Sequence, residues 1–333
     1  MRYRVLGPTG MRVSVLCLGT AFFGIAPREP EAPRLVQRAL DLGVNFVDTA
    51  NSYGNQTRFD RPGIPPAAQR ASSEELVGRG VRGRRHEVVI ATKVQEKVGE
   101  GPNDGGPTGG GLTRRHIMAQ CEASLRRLQT DYIDVYYAHH PDPTTPLEQT
   151  LRAFDDLVHQ GKVRYPALSN YPAWQLTQAL WLSERLRLNP PVAMEMRYNL
   201  LDRRVEQDVV PACLEFGVGL TAYSPLGEGL LGGHYTPDNP TGDAGQDPAS
   251  AGMRHGAGHT FPAPRLEAAG KLVGLAREWG HHPAHLALAW LIGRPALTSA
   301  IVGTEGVEQL EEVIPAAELA LDQEQLEALD SFA

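Results

Sequence analysis

Short apolar runs rich in β-branched residues alternate with stretches of helical period along the whole chain. The runs are VSVLCLG (13–19), VNFVDTA (44–50), EVVIATK (87–93), IDVYYAH (133–139), KVRYPALS (162–169), VAMEMRY (192–198), VGLTAYS (218–224) and TSAIVG (298–303), eight in all. Near-continuous apolar character, without strict alternation, marks strands covered on both faces, as in a parallel sheet. Between them, PRLVQRALDLG (33–43) has a proline near its start and a glycine at its stop, and TRRHIMAQCEASLRRL (113–128) opens on Thr113 as a cap. LEQTLRAFDDLVHQG (147–161) and RVEQDVVPACLEFG (204–217) repeat the design. Eight such units predict an α/β fold, a (β/α)8 TIM barrel forming one domain over 1–333, with a doubly wound sheet as the alternative. The opening YRVLGPTGMRVSV reads as a β-hairpin turning on Pro8, Thr9 and Gly10, placed to plug one end of the barrel.

Three connections exceed a simple βα turn, at 54–72, 94–112 and 227–263, and all follow strands. They therefore share the C-terminal face, where barrel enzymes keep their sites; disordered surface insertion is the blander alternative, above all for the glycine-rich 99–111. Composition narrows the chemistry. With 41% hydrophobic and 21% charged residues the chain reads as an ordinary soluble protein, and it carries neither an eighteen-residue apolar run nor a secretion signal, so a cytoplasmic, non-membrane location is expected. Cys17, Cys121 and Cys213 lack paired or metal-ligand spacing, and a net charge of −7 disfavours nucleic acid as a partner.

Polar residues gather at successive strand ends. Asp48 closes one run and leads to Tyr53, Lys93 closes the next, and His139 the one after. A carboxylate buried on a strand costs several kcal/mol unless paired, so Asp48 requires a cation, and Lys93 is the one a barrel would bring to it. Lysine beside a phenol favours the phenolate, so Tyr53 is expected to be a proton donor with a lowered pKa. His140 rivals His139, but neighbours on a strand face opposite ways, so only one aims inward. For the same reason the pair is expected to diverge and to hold no metal.

These pieces, with LGPTGMRVSVLCLGT, SSEELVGRGVRGRRHEVVIATKV, SLRRLQTDYIDVYYAHHPD, GKVRYPALSNY, AYSPLGEGLLGG and ALAWLIGRPALTSAIVGTEGVEQLEE, resemble the aldo-keto reductases over nearly the whole chain. The resemblance implies a barrel that binds NAD(P)H and reduces the carbonyl of a small-molecule substrate, with Asp48, Tyr53, Lys93 and His139 as the catalytic set. It implies Tyr53 as general acid, Lys93 lowering the Tyr53 pKa, Asp48 holding Lys93, and His139 orienting the carbonyl oxygen. It places Ser169 and Asn170 on the nicotinamide carboxamide, Tyr223 against the ring, and Ser224, Leu226 and Gly229 at the pyrophosphate. Gly19 and Thr20 join the cofactor site, as do Glu195, Gly303, Thr304, Glu305 and Gln309. The GEGLLG stretch at 227–232 formally reads as a dinucleotide fingerprint, but no strand bearing an acidic residue follows it at the required distance. Phe22, Phe23 and His140 are the expected substrate contacts, with Phe59 also available, and Trp174 is expected to pack a helix. Sugars or keto-sugars are the expected substrate class. A redox-sensing regulatory protein on the same barrel is the alternative function.

Two departures from the family pattern matter. Glu195 stands where glutamine is usual; an ionised carboxylate there could accept from the carboxamide but not donate, unless Arg197, on the same strand face, neutralises it. The 303–313 segment contains no lysine or arginine for a 2′-phosphate and places Glu305 near it. Glu305 either accepts from a free ribose 2′-hydroxyl, giving good use of NADH, or merely starts a helix.

Overall fold

The computed structural model describes residues 1–60, 63–98, 111–241 and 260–332. Two short antiparallel strands, β1 (Tyr3–Val5) and β2 (Arg12–Ser14), form the hairpin. Eight parallel strands then close into a barrel: β3 (Leu16–Gly19), β4 (Phe46–Asp48), β5 (Val89–Val94), β6 (Ile133–Ala138), β7 (Val163–Ser169), β8 (Ala193–Arg197), β9 (Gly219–Tyr223) and β10 (Leu297–Gly303), with β10 pairing back on β3. The helices α1 (Ala32–Asp41), α2 (Ser73–Gly80), α3 (Arg114–Leu128), α4 (Leu147–His159), α5 (Ala173–Leu186), α6 (Val209–Phe216), α7 (Ala263–Trp279), α8 (Pro283–Ile292), α9 (Val307–Val313) and α10 (Gln323–Asp330) complete the order. Among the described residues no helix is long and apolar enough to cross a membrane.

The run predicted as one strand over 13–19 is two. Ser14 ends the hairpin, its hydroxyl donating to the Leu16 carbonyl while its backbone N–H donates to Asn45 Oδ1, and the barrel strand begins at Leu16. The helix expected over 204–217 begins only at Val209, under an Asp208 cap, after a separate 3-10 turn at Arg204–Glu206. Pro211 explains this, because its ring clashes with the carbonyl four residues back and is tolerated only in a first turn. Thr113 caps α3 as expected, accepting from the His116 N–H.

Alternation along each strand sorts the core into two layers. Outward residues such as Val47, Ile90, Tyr136, Met194 and Ala300 pack under the helices. Inward residues Cys17, Phe46, Ala91, Val135, Tyr137, Ala167, Ala193 and Ile301 fill the barrel, and the hairpin's Leu6 and Val13, both fully buried, close its N-terminal end. Gly7 makes that plug possible: at φ +50 it lies so near the barrel floor that a Cβ would sit 2.2 Å from the Val192 carbonyl oxygen.

On the opposite face, the connection after β4 is drawn together by Arg70. Its guanidinium is buried and donates to the carbonyls of Gly54 (2.9 Å), Gln56 (2.6 Å) and Pro65 (2.5 Å), and to Asp60 Oδ1 (2.8 Å). Gly54, at φ +90, has no room for a Cβ, which would meet Ser73 N at 2.7 Å. The same Ser73 N–H donates to the Tyr53 carbonyl (2.9 Å), so the loop and the start of α2 fix the Tyr53 backbone together. Truncating Arg70 strands these acceptors. Arg70→Ala should lower unfolding stability by about 3 kcal/mol, read from urea denaturation; an unchanged midpoint would contradict the role given to it.

Candidate active site

Strand register brings the predicted ionisable groups to one end of the barrel. Asp48 lies opposite Ala91 across the β4–β5 ladder, and Lys93 opposite Tyr137 across β5–β6, so alternation turns both Asp48 and Lys93 inward at adjoining heights. Lys93 is fully buried. Its Nζ donates to both Asp48 oxygens, at 2.5 and 2.6 Å, and to the Thr49 carbonyl at 3.0 Å. This supplies the partner that Asp48 needs. Thr20 braces the arrangement from β3, its hydroxyl donating to the Asp48 carbonyl (2.8 Å), and Gly19 is a packing requirement, since a Cβ there would stand 2.8 Å from Ile301 Cγ2.

Lys93 also has a second carboxylate. Glu195 Oε1 lies 3.4 Å from Nζ, and Glu195 is itself buried. Burial alone would discharge the lysine, but Asp48 and Glu195 outweigh it and hold its pKa above the usual ammonium range. Burial and then the Asp48 charge push the Glu195 carboxyl above the usual carboxylate range, against the pull of Lys93. Arg197 does not neutralise it. That guanidinium, at the strand end, pairs with Glu228 (2.7 Å) and Asp202 (3.2 Å), because β8 ends there and the loops after β8 and β9 offer nearer carboxylates.

Tyr53 stands half-buried above this cluster, with Lys93 Nζ 5.1 Å from its ring centroid and its hydroxyl 3.4 Å from His139 Nε2. Lys93 pulls the phenol pKa down, as expected, but burial is the larger effect, and with the charges of Asp48 and Glu195 added the net direction is upward from the ordinary value.

His139 and His140 lie just past β6, where alternation no longer applies, and they do not diverge. Their rings stack at 4.7 Å with an 18° interplanar angle. His139 is buried and faces Tyr53, whereas the His140 side chain is 46% exposed. A further residue, absent from the sequence-based set, joins them. Glu96 Oε2 lies 2.8 Å from His139 Nδ1, and Glu96 Oε1 lies 3.8 Å from His140 Nε2. These three groups bring ligand-type atoms within 4.8 Å of one another, with the Nδ1–H···Oε2 hydrogen bond between two of them.

The residues expected at the cofactor lie at the C-terminal ends of β3 and β7 to β10 and in the connections that follow them. Ser169 ends β7 beside Glu195 in the ladder. Asn170, at φ +62, donates to the His139 carbonyl and to Ser169 Oγ, both at 3.0 Å, and accepts from the Tyr223 hydroxyl at 2.8 Å, which fixes the Tyr223 ring. Ser224, Glu228 and Gly229 adopt positive φ in the loop with Leu226, giving a tight backbone cradle. Across it are Gly303 and Thr304, and Gln309 accepts from the Glu305 N–H (2.9 Å). Among the described residues, ten buried side-chain polar atoms lack hydrogen-bond partners, and three of them are Glu195 Oε2, Ser224 Oγ and Thr304 Oγ1. Orphaned buried polar atoms are rare, and all three belong to residues expected to meet a nicotinamide dinucleotide. The residues fit that group.

The substrate expectations divide. Phe22 is partly buried against a small apolar cluster of Ile25, Phe59 and Ile64, edge-on to Phe59 at 5.4 Å. Phe23 is only 1% exposed and belongs to the main core, because the turn after β3 sends consecutive side chains in opposite directions. Trp174, expected to pack a helix, is 64% exposed on α5. Of the three long connections, 61–62, 99–110 and 242–259 lie outside the described residues.

Comparison with known proteins agrees with this geometry. The model of the Aldo/keto reductase family matches residues 15–333. "Uncharacterized oxidoreductase YrpG" of Bacillus subtilis is 39% identical, over 100% of this chain and 96% of its own length. The L-glyceraldehyde 3-phosphate reductase of Escherichia coli K12 is 31% identical, over 95% and 87%. A protein of Oryza sativa subsp. japonica named "Probable voltage-gated potassium channel subunit beta" is 35% identical, over 96% and 92%. With its closed parallel barrel and a family match across nearly its full length, the chain belongs to the aldo/keto reductase family, as an NAD(P)H-dependent carbonyl reductase.

Proposed function

We propose that this enzyme reduces a small polar aldehyde or ketone, of the hydroxyaldehyde or keto-sugar class, with Tyr53 as general acid. The observation that carries the reading is the convergence of Asp48, Lys93, Tyr53 and His139 beside three orphaned polar groups of the cofactor wall. The nicotinamide, when bound, supplies the hydride. Ser169, Asn170 and Glu195 would hold its carboxamide. Tyr223 would back the ring, and Ser224, Leu226 and Gly229 would meet the pyrophosphate. The Tyr53 hydroxyl gives its proton to the oxygen as the carbonyl gains negative charge, and His139 keeps that oxygen in line. Lys93 stabilises the phenolate that results, while Asp48 holds Lys93 in place.

Phe22 and the exposed edge of His140 form the substrate side. The reductase relative named for L-glyceraldehyde 3-phosphate supports a hydroxylated substrate. The relatives named as potassium channel subunits favour a second reading, a barrel that binds nicotinamide to report redox state. The ordered proton-donor set favours turnover.

Replacing Tyr53 by Phe should lower reduction about 100- to 10,000-fold and leave cofactor binding intact by fluorescence titration; surviving turnover across a panel of aldehydes, ketones and keto-sugars would refute the acid assignment. A protonated phenol is the active form in reduction, so a raised pKa carries activity into alkaline solution. In wild type, kcat/KM should stay level up to about pH 10, and Glu195→Gln, which removes a carboxylate facing Lys93, should bring the alkaline decline to lower pH. A mutant profile shifted upward would reverse the sign of the argument.

Glu305 beside the ribose wall, with no lysine or arginine in 303–313, supports use of NADH at least as good as that of NADPH. Comparing kcat/KM for the two reduced cofactors tests this, and an NADPH preference of about a hundredfold would sink it.

A further inference from the structure

Glu96 is an ionisable group hydrogen-bonded to His139 that the reaction as described above does not use. It lies two residues beyond β5, and its position follows from the barrel ladder. Val94 is paired with Ala138, and the His139 N–H donates to the Val94 carbonyl (3.0 Å), so the chain after β5 continues alongside the two histidines. The Gly111 N–H, returning to the Gln95 carbonyl at 2.6 Å, ties that stretch from the other side. The His139 ring is thereby bracketed. Glu96 takes Nδ1 at 2.8 Å, the Tyr53 hydroxyl faces Nε2 at 3.4 Å, and His140 stacks on its face. Lys93 stands behind the Tyr53 ring, and Asn170 holds the His139 backbone carbonyl.

We propose, on the carbonyl-reductase reading given above, that Glu96 is the positioning residue of His139, fixing the tautomer in which Nδ1 carries the proton and Nε2 faces Tyr53 and the substrate oxygen. In a histidine, the hydrogen bond made by one nitrogen sets the protonation of the other. A carboxylate accepts and cannot donate, so only the Nδ1–H form satisfies both groups. Glu96 remains an acceptor at neutral pH: burial works against its charge, but the hydrogen bond from His139 and the fields of both imidazoles hold its carboxyl below the usual range. With Nε2 left as an acceptor, the Tyr53 O–H is aimed before substrate arrives. The residue acts through His139 and does not touch the reacting atoms.

Glu96→Ala and Glu96→Gln test the proposal, with the alanine protein checked for folding by thermal melting and the glutamine protein carrying the test if alanine unfolds. Long-range proton–nitrogen NMR of the imidazoles, with His139 assigned through His139→Asn, should show the Nδ1–H tautomer in wild type and loss of that tautomer in Glu96→Ala. In parallel, kcat/KM for the carbonyl substrate should fall about 10- to 100-fold in Glu96→Ala and less in Glu96→Gln, whose amide oxygen still accepts, while the Kd for reduced nicotinamide cofactor stays unchanged. Wild-type tautomer and wild-type kcat/KM in the variants would overturn the role of Glu96. A wild-type protein that reduces no carbonyl would overturn the functional reading instead, and the imidazole spectra would still decide the tautomer.

Discussion

One buried ammonium organises the C-terminal end of this barrel. Lys93 is fully enclosed and shared between Asp48, which chelates it with both oxygens, and Glu195, which approaches from three strands away. An unpaired ammonium at that depth would lose its proton, and an unpaired Asp48 would gain one. The pairing holds only if β4, β5 and β8 keep their register, because a one-residue slip would turn these side chains into the helix layer. The inner packing of Cys17, Phe46, Ala91 and Ala193 below the cluster therefore matters to the site as well as to stability, and so does the hairpin plug that seals the far end.

The double pairing sets the character of Tyr53. With Asp48 alone, Lys93 would be a source of positive potential for the phenol. With Glu195 added, that potential is divided, and burial keeps the phenol protonated. Glu195 is also one of the residues proposed to hold the nicotinamide carboxamide. A single departure from the family pattern thus acts on the phenol and on the cofactor wall together.

Much of this was legible in the sequence. Apolar runs at regular intervals announced the parallel barrel, and an aspartate at the end of one predicted a cation on the next. Other features depend on where the chain turns, and period alone does not encode that. Phe22 and Phe23 look equivalent in sequence, yet the turn after β3 gives one to a small cluster with Phe59 and the other to the main core. Strand alternation was extended to His139 and His140, which lie past the end of β6 and stack. Arg197 was assigned to Glu195 by strand parity, but a long side chain at a strand end follows the nearest accessible carboxylates, those of Glu228 and Asp202. Glu96 left one signal, a carboxylate just past the Lys93 strand and beside the strand that ends at His139. The stretch around it reads as loop, and only barrel adjacency brings it to the imidazole.

The central claim is that Lys93, divided between two carboxylates, leaves Tyr53 a protonated acid. Carbon-13 NMR of ring-labelled tyrosine, with Tyr53 assigned by its loss in the phenylalanine variant, measures this directly in the free enzyme. The account predicts that the Tyr53 ring-carbon resonance stays at its phenol position through the ordinary tyrosine pKa of about 10. A Tyr53 resonance that titrates at or below that value would contradict it.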